Sequence, residues 1–333
     1  MQSDTLEDTK DFNANKTYHE MTYNTKWEEN RPKEYFEYRK NWIEFPKQKI
    51  VSDFPLHLDI ETTNVCNLKC PMCPRTIMLD KKQFPSQGYM SDEEYKSIID
   101  QGVKNGLKSI KLNYLGEPLL HPSVVWQVKY AKEQGILDVM MNSNGDLLTK
   151  EMSKDLLEVG LDKLFISFDS ISPDIYEVQR KGTSLGKVID NVYNFALLRN
   201  QYYPNTHIRL SMVMYETPEY QTQFEGLQTM WKNLVDAVGY GFYVEHDENS
   251  KTFPKVEGFY CEQLFQRMFL KYNGNVTVCC FDDKDEYIVG NWRDEKLKDI
   301  WNSKEYKHIR DTHLKGNYCD INMCSRCYLP VSK

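Results

Sequence analysis

The sequence lacks the features that mark membrane, secreted and nucleic-acid-binding proteins. Its 333 residues contain no run of about 20 apolar residues, the length that a membrane span requires. The start is acidic and polar, without the basic head and apolar middle of a signal peptide. The net charge is −7, which removes any bulk electrostatic attraction to DNA or RNA. We therefore expect a cytoplasmic protein that binds no membrane and no nucleic acid.

Cysteine is present, and its distribution indicates metal binding rather than disulfide bonds. The nine cysteines are clustered, which favours metal ligation in a reducing compartment. Three of them, Cys66, Cys70 and Cys73, follow an alternating apolar strand with the spacing C-x3-C-x2-C. Thiolates suit iron-sulfur clusters and zinc. A four-iron cluster held by three cysteines would leave one iron open to a non-protein ligand.

The three-cysteine loop resembles the signature of the radical S-adenosylmethionine (SAM) superfamily, which carries this spacing after the first barrel strand. The resemblance implies that SAM chelates the open iron of a [4Fe-4S] cluster. One electron then cleaves the sulfonium, and the 5'-deoxyadenosyl radical takes a hydrogen atom from the substrate. Met72 stands where the family usually has an aromatic residue, and a soft apolar side chain can still pack beside the cluster.

A structural zinc site is the alternative interpretation of the same loop. A closed zinc site requires four ligands, and no fourth Cys or His lies nearby, since His57 precedes the loop by a whole strand. The strand-loop-helix context favours the iron-sulfur interpretation.

Short apolar runs alternate with helical patterns from residue 56 onward, as expected of parallel βα units. Helix starts between the runs are marked by caps such as the Ser91-x-x-Glu94 capping box. The predicted strands cover residues 56–61, 109–114, 138–142, 163–168, 207–213 and 239–245. The expected fold is α/β: a partial (β/α)6 TIM-like barrel followed by a small C-terminal cysteine-rich α+β iron-sulfur domain.

Three regions are expected along the chain. Residues 1–50 form an N-terminal extension that is partly helical, 51–250 the radical SAM partial barrel, and 251–333 a SPASM/twitch-like auxiliary iron-sulfur domain. The first dozen residues have a disordered composition. Aromatic residues at helical spacing within 32–45 predict a helix that covers the barrel. The polar stretch 246–255 is predicted to be a linker.

Polar residues follow the predicted strands, at the barrel end where loops build active sites. By the resemblance, Gly116 and Glu117 belong to a segment that receives the SAM amino group, with Leu115 replacing a usual glycine. The resemblance also assigns to SAM binding Ser143, Ser167, Asp169, Arg180 and Met212. Each has a structural interpretation as well, because such residues form turns, cap helices or remain solvated near helix ends.

The other six cysteines lie in the C-terminal region and resemble the SPASM/twitch extension, which carries auxiliary [4Fe-4S] clusters. One such cluster is expected, because two clusters with only cysteine ligands would need eight thiolates. The implied ligands are Cys261, Cys279, Cys324 and Cys327. Cys319 is a possible replacement for one of them, and Cys280 is predicted to be a spare thiol. A structural zinc ion would accept the same four thiolates.

An auxiliary cluster would accept the electron of a substrate radical, so the net reaction would be a dehydrogenation. We therefore predict a dehydrogenase-like radical SAM oxidoreductase that oxidises or rearranges a small polyol, sugar or nucleotide sugar. The chain resembles the twitch-bearing dehydrogenases of aminocyclitol antibiotic synthesis in length and cysteine layout. A flavodoxin or ferredoxin is the expected electron donor.

Two other functions remain open. A peptide maturase of the RiPP or sulfatase type is one, although residues 1–50 look too short and strand-poor for the usual peptide-recognition domain. A non-catalytic iron-sulfur electron-transfer protein is the other, although it would not need Gly116, Glu117 and Arg180 around an open iron. Several strand-tip residues are candidates for a substrate-side base, and the sequence does not choose among them: Tyr114, Asp169, Tyr215, Glu245 and His246.

Overall fold

The computed structural model describes residues 18–244 and 253–330. The predictions for the first dozen residues lie outside these ranges, as do those for Glu245, His246 and most of the linker. In chain order the elements are β1 (Tyr18–Thr22), α1 (Lys33–Gln48), β2 (His57–Ile60), α2 (Pro74–Asp80), α3 (Asp92–Lys104), β3 (Ser109–Lys111), α4 (Val124–Glu133), β4 (Asp138–Ser143), α5 (Lys150–Glu158), β5 (Lys163–Ser167), α6 (Pro173–Gln179), α7 (Leu185–Tyr202), β6 (His207–Met214), α8 (Pro218–Trp231), β7 (Ala237–Phe242), β8 (Arg267–Leu270), β9 (Asn275–Thr277), β10 (Ile288–Asn291), α9 (Leu297–Trp301), α10 (Lys304–Leu314) and α11 (Asn322–Ser325).

Within the described ranges, ten strands form one sheet in the order β1-β7-β6-β5-β4-β3-β2-β8-β9-β10. Strands β2 to β7 are parallel and adjacent in chain order, and β8 joins the other side of β2, also in parallel. Strands β1, β9 and β10 pair antiparallel at the two ends. The architecture is the expected α/β fold, a partial (β/α)6 barrel with a small C-terminal region.

All six predicted strands are present, with different ends. The second ends at Lys111 rather than at residue 114, because the chain turns there into the loop that carries Gly116. The sixth begins at Ala237 and ends at Phe242 instead of running from 239 to 245. The predicted Ser91 capping box is confirmed, since Ser91 Oγ accepts from Glu94 N and Glu94 Oε2 accepts from Ser91 N. No helix of the described residues is long and apolar enough to cross a membrane.

Four strands lie outside the six predicted ones: β1 in the N-terminal extension, and β8, β9 and β10 in the C-terminal region. Strand β1 lies in the N-terminal extension, which was expected to be poor in strands, and pairs with β7. Strand β8 lies beyond the expected end of the barrel, yet it extends the barrel sheet beside β2. Both are four or five residues long, and each pairs with a strand that is far away along the chain. The domain boundaries at residues 51 and 251 stay a prediction.

Side chains alternate across the sheet, as the pleat of a β-strand requires. On β6, Leu210 and Met212 are buried in the main apolar core, to which the helices contribute. Arg209, which precedes Leu210, packs against Phe165 of β5 on the opposite face, its guanidinium 3.9 Å from the ring centroid. Polar groups therefore occupy the interior of the barrel, where Lys111 pairs with the buried Asp59 at 3.1 Å.

Helix α1 closes the N-terminal end of the barrel. Its side chains Tyr35, Tyr38 and Trp42 form a buried aromatic cluster. Trp42 contacts the His57 ring edge-on at 5.9 Å, and the Tyr35 hydroxyl accepts from Lys163 Nζ at 3.3 Å. Because His57 and Lys163 begin β2 and β5, α1 lies at the end opposite the strand tips. The strand tips are therefore left for the site.

Candidate active site

The predicted cysteine loop follows β2 and lines a cavity at the strand tips. The cavity has a volume of about 380 Å³, and Cys66, Cys70 and Cys73 all contribute to its wall. We call it the three-cysteine cavity. The loop is fixed to its surroundings, since Lys69 N donates to Lys181 O at 2.8 Å. All three thiols are free, and burial raises the pKa of Cys66 to about 11.

The loop after β3 packs directly on the cysteine loop. Glu117 N donates to Val65 O at 2.8 Å. A Cβ atom added to Gly116 would lie only 2.1 Å from Thr63 O and 2.9 Å from Val65 O. A side chain at position 116 would therefore push the two loops apart, which is a physical reason for glycine there. Both Gly116 and Glu117 line the three-cysteine cavity.

The Glu117 carboxylate is 2% exposed and is held by three donors. Oε1 accepts from Ser143 Oγ at 2.8 Å and from Leu119 N at 3.1 Å, and Oε2 accepts from Asn144 N at 2.8 Å. Burial raises its pKa to about 7, although these hydrogen bonds act in the opposite direction. A carboxylate offers about four acceptor positions. One position therefore remains for a cationic donor in the cavity.

Two asparagines that the sequence analysis did not single out support the cysteine loop. Asn144 Nδ2 lies 3.9 Å from Cys66 Sγ and donates to Asn67 Oδ1 at 3.0 Å. Asn67 Nδ2 in turn donates to Asp146 Oδ2 at 2.8 Å. Amide donors near a ligating sulfur are the kind of outer contact that adjusts an iron-sulfur centre. From sequence alone, the Asn-Gly pair at 144–145 predicts only a turn, so no sequence signal indicated these contacts.

Arg180 reaches the same loop from the other side of the cavity. Its Nε donates to Asp169 Oδ2, and its Nη1 lies 3.9 Å from Cys70 Sγ. Asp169 is fully buried, and its Oδ1 accepts from Val213 N at 2.8 Å. Arg180 lines the cavity, whereas Asp169 is not part of the lining and holds Arg180 in place. The guanidinium is thereby positioned for a carboxylate ligand.

The other predicted SAM contacts are divided between cavity and core. Ser143 and Ser167 line the cavity. Met212 belongs to the apolar core, while its neighbour Val213 lines the cavity. Because successive residues of a strand face opposite sides, the position beside a bound adenine would fall to Val213 in this register. The assignment of Met212 stays a prediction.

The remaining cavity wall contains neutral polar and aromatic side chains. Asn142 N donates to Asn113 Oδ1 at 3.2 Å, which joins two strand tips that line the cavity. The aromatic members of this wall are Tyr114, Phe242, Tyr243, Phe281 and Tyr328, and its apolar members include Leu68, Met72, Pro74, Leu115 and Val244.

Of the proposed substrate-side bases, the structure brings only Tyr114 to the cavity wall among the described residues. Its hydroxyl donates to Cys280 O at 3.1 Å, and burial raises its pKa well above 10. Tyr215 instead stacks on Tyr243 with ring centroids 4.9 Å apart. Glu245 and His246 lie outside the described residues.

A second cavity lies in the C-terminal region and is lined by Cys261, Cys279, Cys324 and Cys327. We call it the four-cysteine cavity. The rest of its lining is almost entirely apolar or aromatic, the exception being His313. Burial raises the pKa of Cys261 to about 11 and of Cys327 to about 12.

The two other C-terminal cysteines do not line this cavity. Cys280 is exposed and Cys319 is partly buried.

The residues of both cavities fit iron-sulfur chemistry. The first offers three thiols beside a carboxylate and a guanidinium, which match the ammonium and carboxylate of an amino acid. The second offers four thiols and one unsatisfied buried nitrogen, His313 Nε2. Among residues 18–244 and 253–330, no three Cys, His, Asp or Glu side chains are arranged to hold a single metal ion.

Two protein-family models match the chain. The radical SAM superfamily model matches residues 60–220, and an iron-sulfur cluster-binding domain, SPASM, matches residues 261–328. The chain is a radical SAM protein with a SPASM domain. A radical SAM domain implies SAM and a [4Fe-4S] cluster, and a SPASM domain implies auxiliary iron-sulfur clusters. The two matches contain the three-cysteine loop and all four cysteines of the second cavity.

Curated relatives resemble part of this radical SAM protein. GTP 3',8-cyclase of Alkaliphilus metalliredigens is 31% identical over 137 residues, which cover 41% of this chain and 42% of the relative. A tungsten-containing aldehyde ferredoxin oxidoreductase cofactor-modifying protein of Pyrococcus furiosus is 35% identical over 114 residues, covering 34% and 30%. The match therefore spans less than half the length of these relatives.

Solved structures share the fold over most of the chain. BtrN in complex with AdoMet and 2-DOIA superposes with a TM-score of 0.54 at 17% identity, covering 83% of this chain and 94% of BtrN. Streptococcus suis SuiB bound to precursor peptide SuiA has a TM-score of 0.60 at 16% identity, covering 90% and 78%. At such identities the likeness establishes the fold and leaves the substrate open.

Proposed function

We propose that this radical SAM protein cleaves SAM reductively and oxidises a small neutral polyol or sugar by removing a hydrogen atom. The observation that supports this most is the composition of the three-cysteine cavity. Its wall combines the cluster thiols, the acceptor Glu117 and the donor Arg180 with a neutral face of amides and aromatic rings. The first group suits SAM, and the second suits a ring with many hydroxyl groups.

The residues have separate roles in this proposal. Cys66, Cys70 and Cys73 would hold the [4Fe-4S] cluster and leave one iron for the SAM amino acid group. Glu117 would accept from the SAM ammonium, and Arg180 would donate to its carboxylate. When bound, the clusters supply the electron that splits SAM into methionine and a 5'-deoxyadenosyl radical, and accept the electron that the substrate loses.

The neutral wall favours a polyol or sugar over a substrate with several phosphates. Among the described residues, Glu117 and Arg180 are the only Asp, Glu, Lys, Arg or His side chains that line the cavity. Both are assigned to SAM in this proposal, so no further cation is available there for a di- or triphosphate. Asn113 and Asn142 can hydrogen-bond hydroxyl groups, and the faces of aromatic rings can pack against the C–H edges of a sugar ring.

The electron donor and the base complete the proposal. A flavodoxin or ferredoxin would reduce the first cluster. Tyr114 is a poor base at neutral pH because its pKa is raised, so we expect the substrate hydroxyl proton to leave to water.

The four-cysteine cavity would hold one auxiliary [4Fe-4S] cluster, since four of the six C-terminal thiols line it.

The first test measures SAM cleavage alone. The protein is reconstituted with iron and sulfide without oxygen, and SAM and dithionite are added. We expect 5'-deoxyadenosine in excess of a Cys66→Ala control. Equal amounts in both samples would contradict radical chemistry and favour an electron-transfer protein.

The second test identifies the substrate class. Cyclic polyols, sugars, and peptides that contain Ser or Cys, each deuterated at carbon, are added in turn, and mass spectrometry measures deuterium in 5'-deoxyadenosine. Transfer from a polyol or sugar, together with a ketone product two mass units lighter than the unlabelled substrate, supports the proposal. Transfer from a Ser- or Cys-containing peptide and not from any polyol would establish the peptide-maturase alternative.

A further inference from the structure

His313 is the polar exception in the wall of the four-cysteine cavity. It lies in the last turn of α10, is 2% exposed, and lines the cavity together with Cys261, Cys279, Cys324 and Cys327. The spacing of the cysteines gave no reason to consider it. A polar side chain buried this deeply requires hydrogen-bond partners, because buried polar groups are normally hydrogen-bonded.

One ring nitrogen of His313 has a partner that defines the protonation state of the ring. Cys261 N donates a hydrogen bond to His313 Nδ1 at 3.2 Å. A backbone N–H can only donate, so Nδ1 must carry a free lone pair and no hydrogen. A neutral imidazole has its hydrogen on the other nitrogen. His313 is therefore the tautomer with hydrogen on Nε2.

The second ring nitrogen is a buried donor without a partner. His313 Nε2 is shielded from solvent and makes no hydrogen bond within the described part of the chain. The neighbouring Tyr318 ring lies 5.8 Å away, and its hydroxyl instead accepts from Val256 N at 2.8 Å. The remaining lining consists of apolar side chains and the cysteine sulfurs. Sulfur is thus the acceptor type that this cavity offers to Nε2.

We propose that His313 donates an Nε2–H···S hydrogen bond to the auxiliary iron-sulfur cluster or to one of its ligating thiolates. The proposal rests on the assignment of that cluster to the four-cysteine cavity. It also disfavours His313 as an iron ligand, because binding iron through Nε2 would move the ring hydrogen to Nδ1, where it would face the Cys261 N–H. His313 is then a residue that adjusts the cluster through its sulfur.

The contact has a consequence for electron transfer. Hydrogen bonds to sulfur help to set the reduction potential of a cluster. Reduction adds negative charge to the sulfurs, so a donor stabilises the reduced state more than the oxidised state. His313 would make the auxiliary cluster a better electron acceptor, which is the role that the proposed oxidation gives to it.

A matched pair of variants tests the contact. His313→Asn keeps an acceptor near the Nδ1 position for Cys261 N but removes the distal donor, whereas His313→Gln places an N–H near the Nε2 position. Both are prepared with Cys66, Cys70 and Cys73 changed to alanine, so that the auxiliary cluster is observed alone. The midpoint potential and the iron content are measured.

We expect the Asn variant to retain its cluster and to be reduced with an equilibrium constant about tenfold less favourable, a shift of about 59 mV to more negative potential for one electron. The Gln variant should recover part of this shift. An unchanged potential in the Asn variant would overturn the proposal. Loss of one bound cluster in the Asn variant and its retention in the Gln variant would show that His313 is required for assembly, and would also overturn it.

A measurement on the unsubstituted histidine is independent of how the variants fold. Pulsed EPR of the reduced auxiliary cluster is recorded with 15N-labelled histidine and in D2O. Weak nitrogen coupling together with an exchangeable deuteron supports an N–H···S contact. Strong coupling from a directly bound nitrogen, or no nitrogen coupling at all, would overturn it. If the three-alanine protein contains no iron, the cluster assignment itself is wrong, which is a different result from an unchanged potential.

Discussion

The two cavities contain the same ligand atom in very different surroundings. The three-cysteine cavity is about 380 Å³ in volume and contains a carboxylate, a guanidinium and several amides beside its thiols. The four-cysteine cavity surrounds its thiols with apolar and aromatic side chains and one histidine. Three ligands with polar neighbours suit a centre that binds and activates a molecule. Four ligands in an apolar wall suit a closed centre that exchanges only electrons.

The cysteines provide the strongest test of this comparison. Two complete clusters correspond to about eight iron atoms per chain. Replacing Cys66, Cys70 and Cys73 by alanine should leave about half of the iron and no SAM cleavage. Cys324→Ala should also leave about half of the iron but retain SAM cleavage, while substrate oxidation is lost. Iron analysis and product assays distinguish the two. Loss of SAM cleavage in Cys324→Ala with full occupancy of the first site would contradict the division of roles.

Gly116 tests the packing that gives the three-cysteine cavity its shape. Gly116→Ala places a Cβ against two backbone carbonyls, the nearer at 2.1 Å. We expect overpacking to cost about 1–3 kcal/mol of stability and SAM affinity to fall at least tenfold. Thermal unfolding and SAM titration measure the two effects. Gly186→Ala, which has nothing within 4 Å of the added atom and a helical environment, is the matched control and should bind SAM normally.

Glu61 links the loop beside the three-cysteine cavity to the C-terminal region, and it should make the stability of the protein depend on pH. Its Oε1 accepts from Leu115 N, next to Gly116, and its Oε2 accepts from Tyr272 N in the C-terminal region, both at 3.1 Å. Burial raises its pKa to about 7, although both hydrogen bonds lower it. The fold therefore favours the protonated form. The contribution of the Glu61 carboxyl to the stability of the fold is fully present below about pH 4.5 and is lost as the pH rises through about 7.

When the pKa of one carboxyl is raised from 4.5 to about 7, the free energy of unfolding changes by on the order of 3 kcal/mol across this pH range. Glu117 has a similarly raised pKa and should add to the same slope. Glu61→Gln removes one of the two contributions, so urea unfolding at pH 5 and pH 7.5 should show a smaller difference than in the wild type. The same slope in both proteins would contradict the raised pKa of Glu61.

Cys280 should give the smallest effect. It is exposed and absent from the lining of both cavities, although it directly follows Cys279. Cys280→Ser should keep the iron content and the reduction potentials of the wild type, because serine is close to cysteine in size and keeps a hydrogen-bonding group beside Cys279. A loss of four iron atoms would place Cys280 among the ligands and require a new assignment for Cys279.

Local sequence patterns were enough to predict most of the fold and the grouping of the cysteines into two sites. The spacing of Cys66, Cys70 and Cys73, the six parallel strands and the distal cysteines all depend on residues that are close in sequence or periodic. Strand β8 was missed as part of the barrel sheet because its partner β2 is far away along the chain, so no local pattern indicates the pairing. Tertiary pairing, rather than sequence pattern, determines that strand.

The finer features of the site depend on register and on distant contacts. Met212 and Val213 are adjacent in sequence, and only the pleat of β6 decides which of them faces the cavity. Glu61 and Tyr272 are separated by 211 residues. His313 lies in a helix with no cysteine in it, so no motif directed attention to it. Such contacts become visible only when the chain is folded.

The pairing of β8 with β2 bears on how this protein could be shortened. Removing everything after residue 250 would strip one neighbour from the very strand that leads into Cys66, and would leave its N–H and C=O groups as a bare sheet edge. Such a fragment would expose a site for aggregation beside its three-cysteine loop. The C-terminal region thus supports the strand that leads into the three-cysteine loop, in addition to lining the four-cysteine cavity.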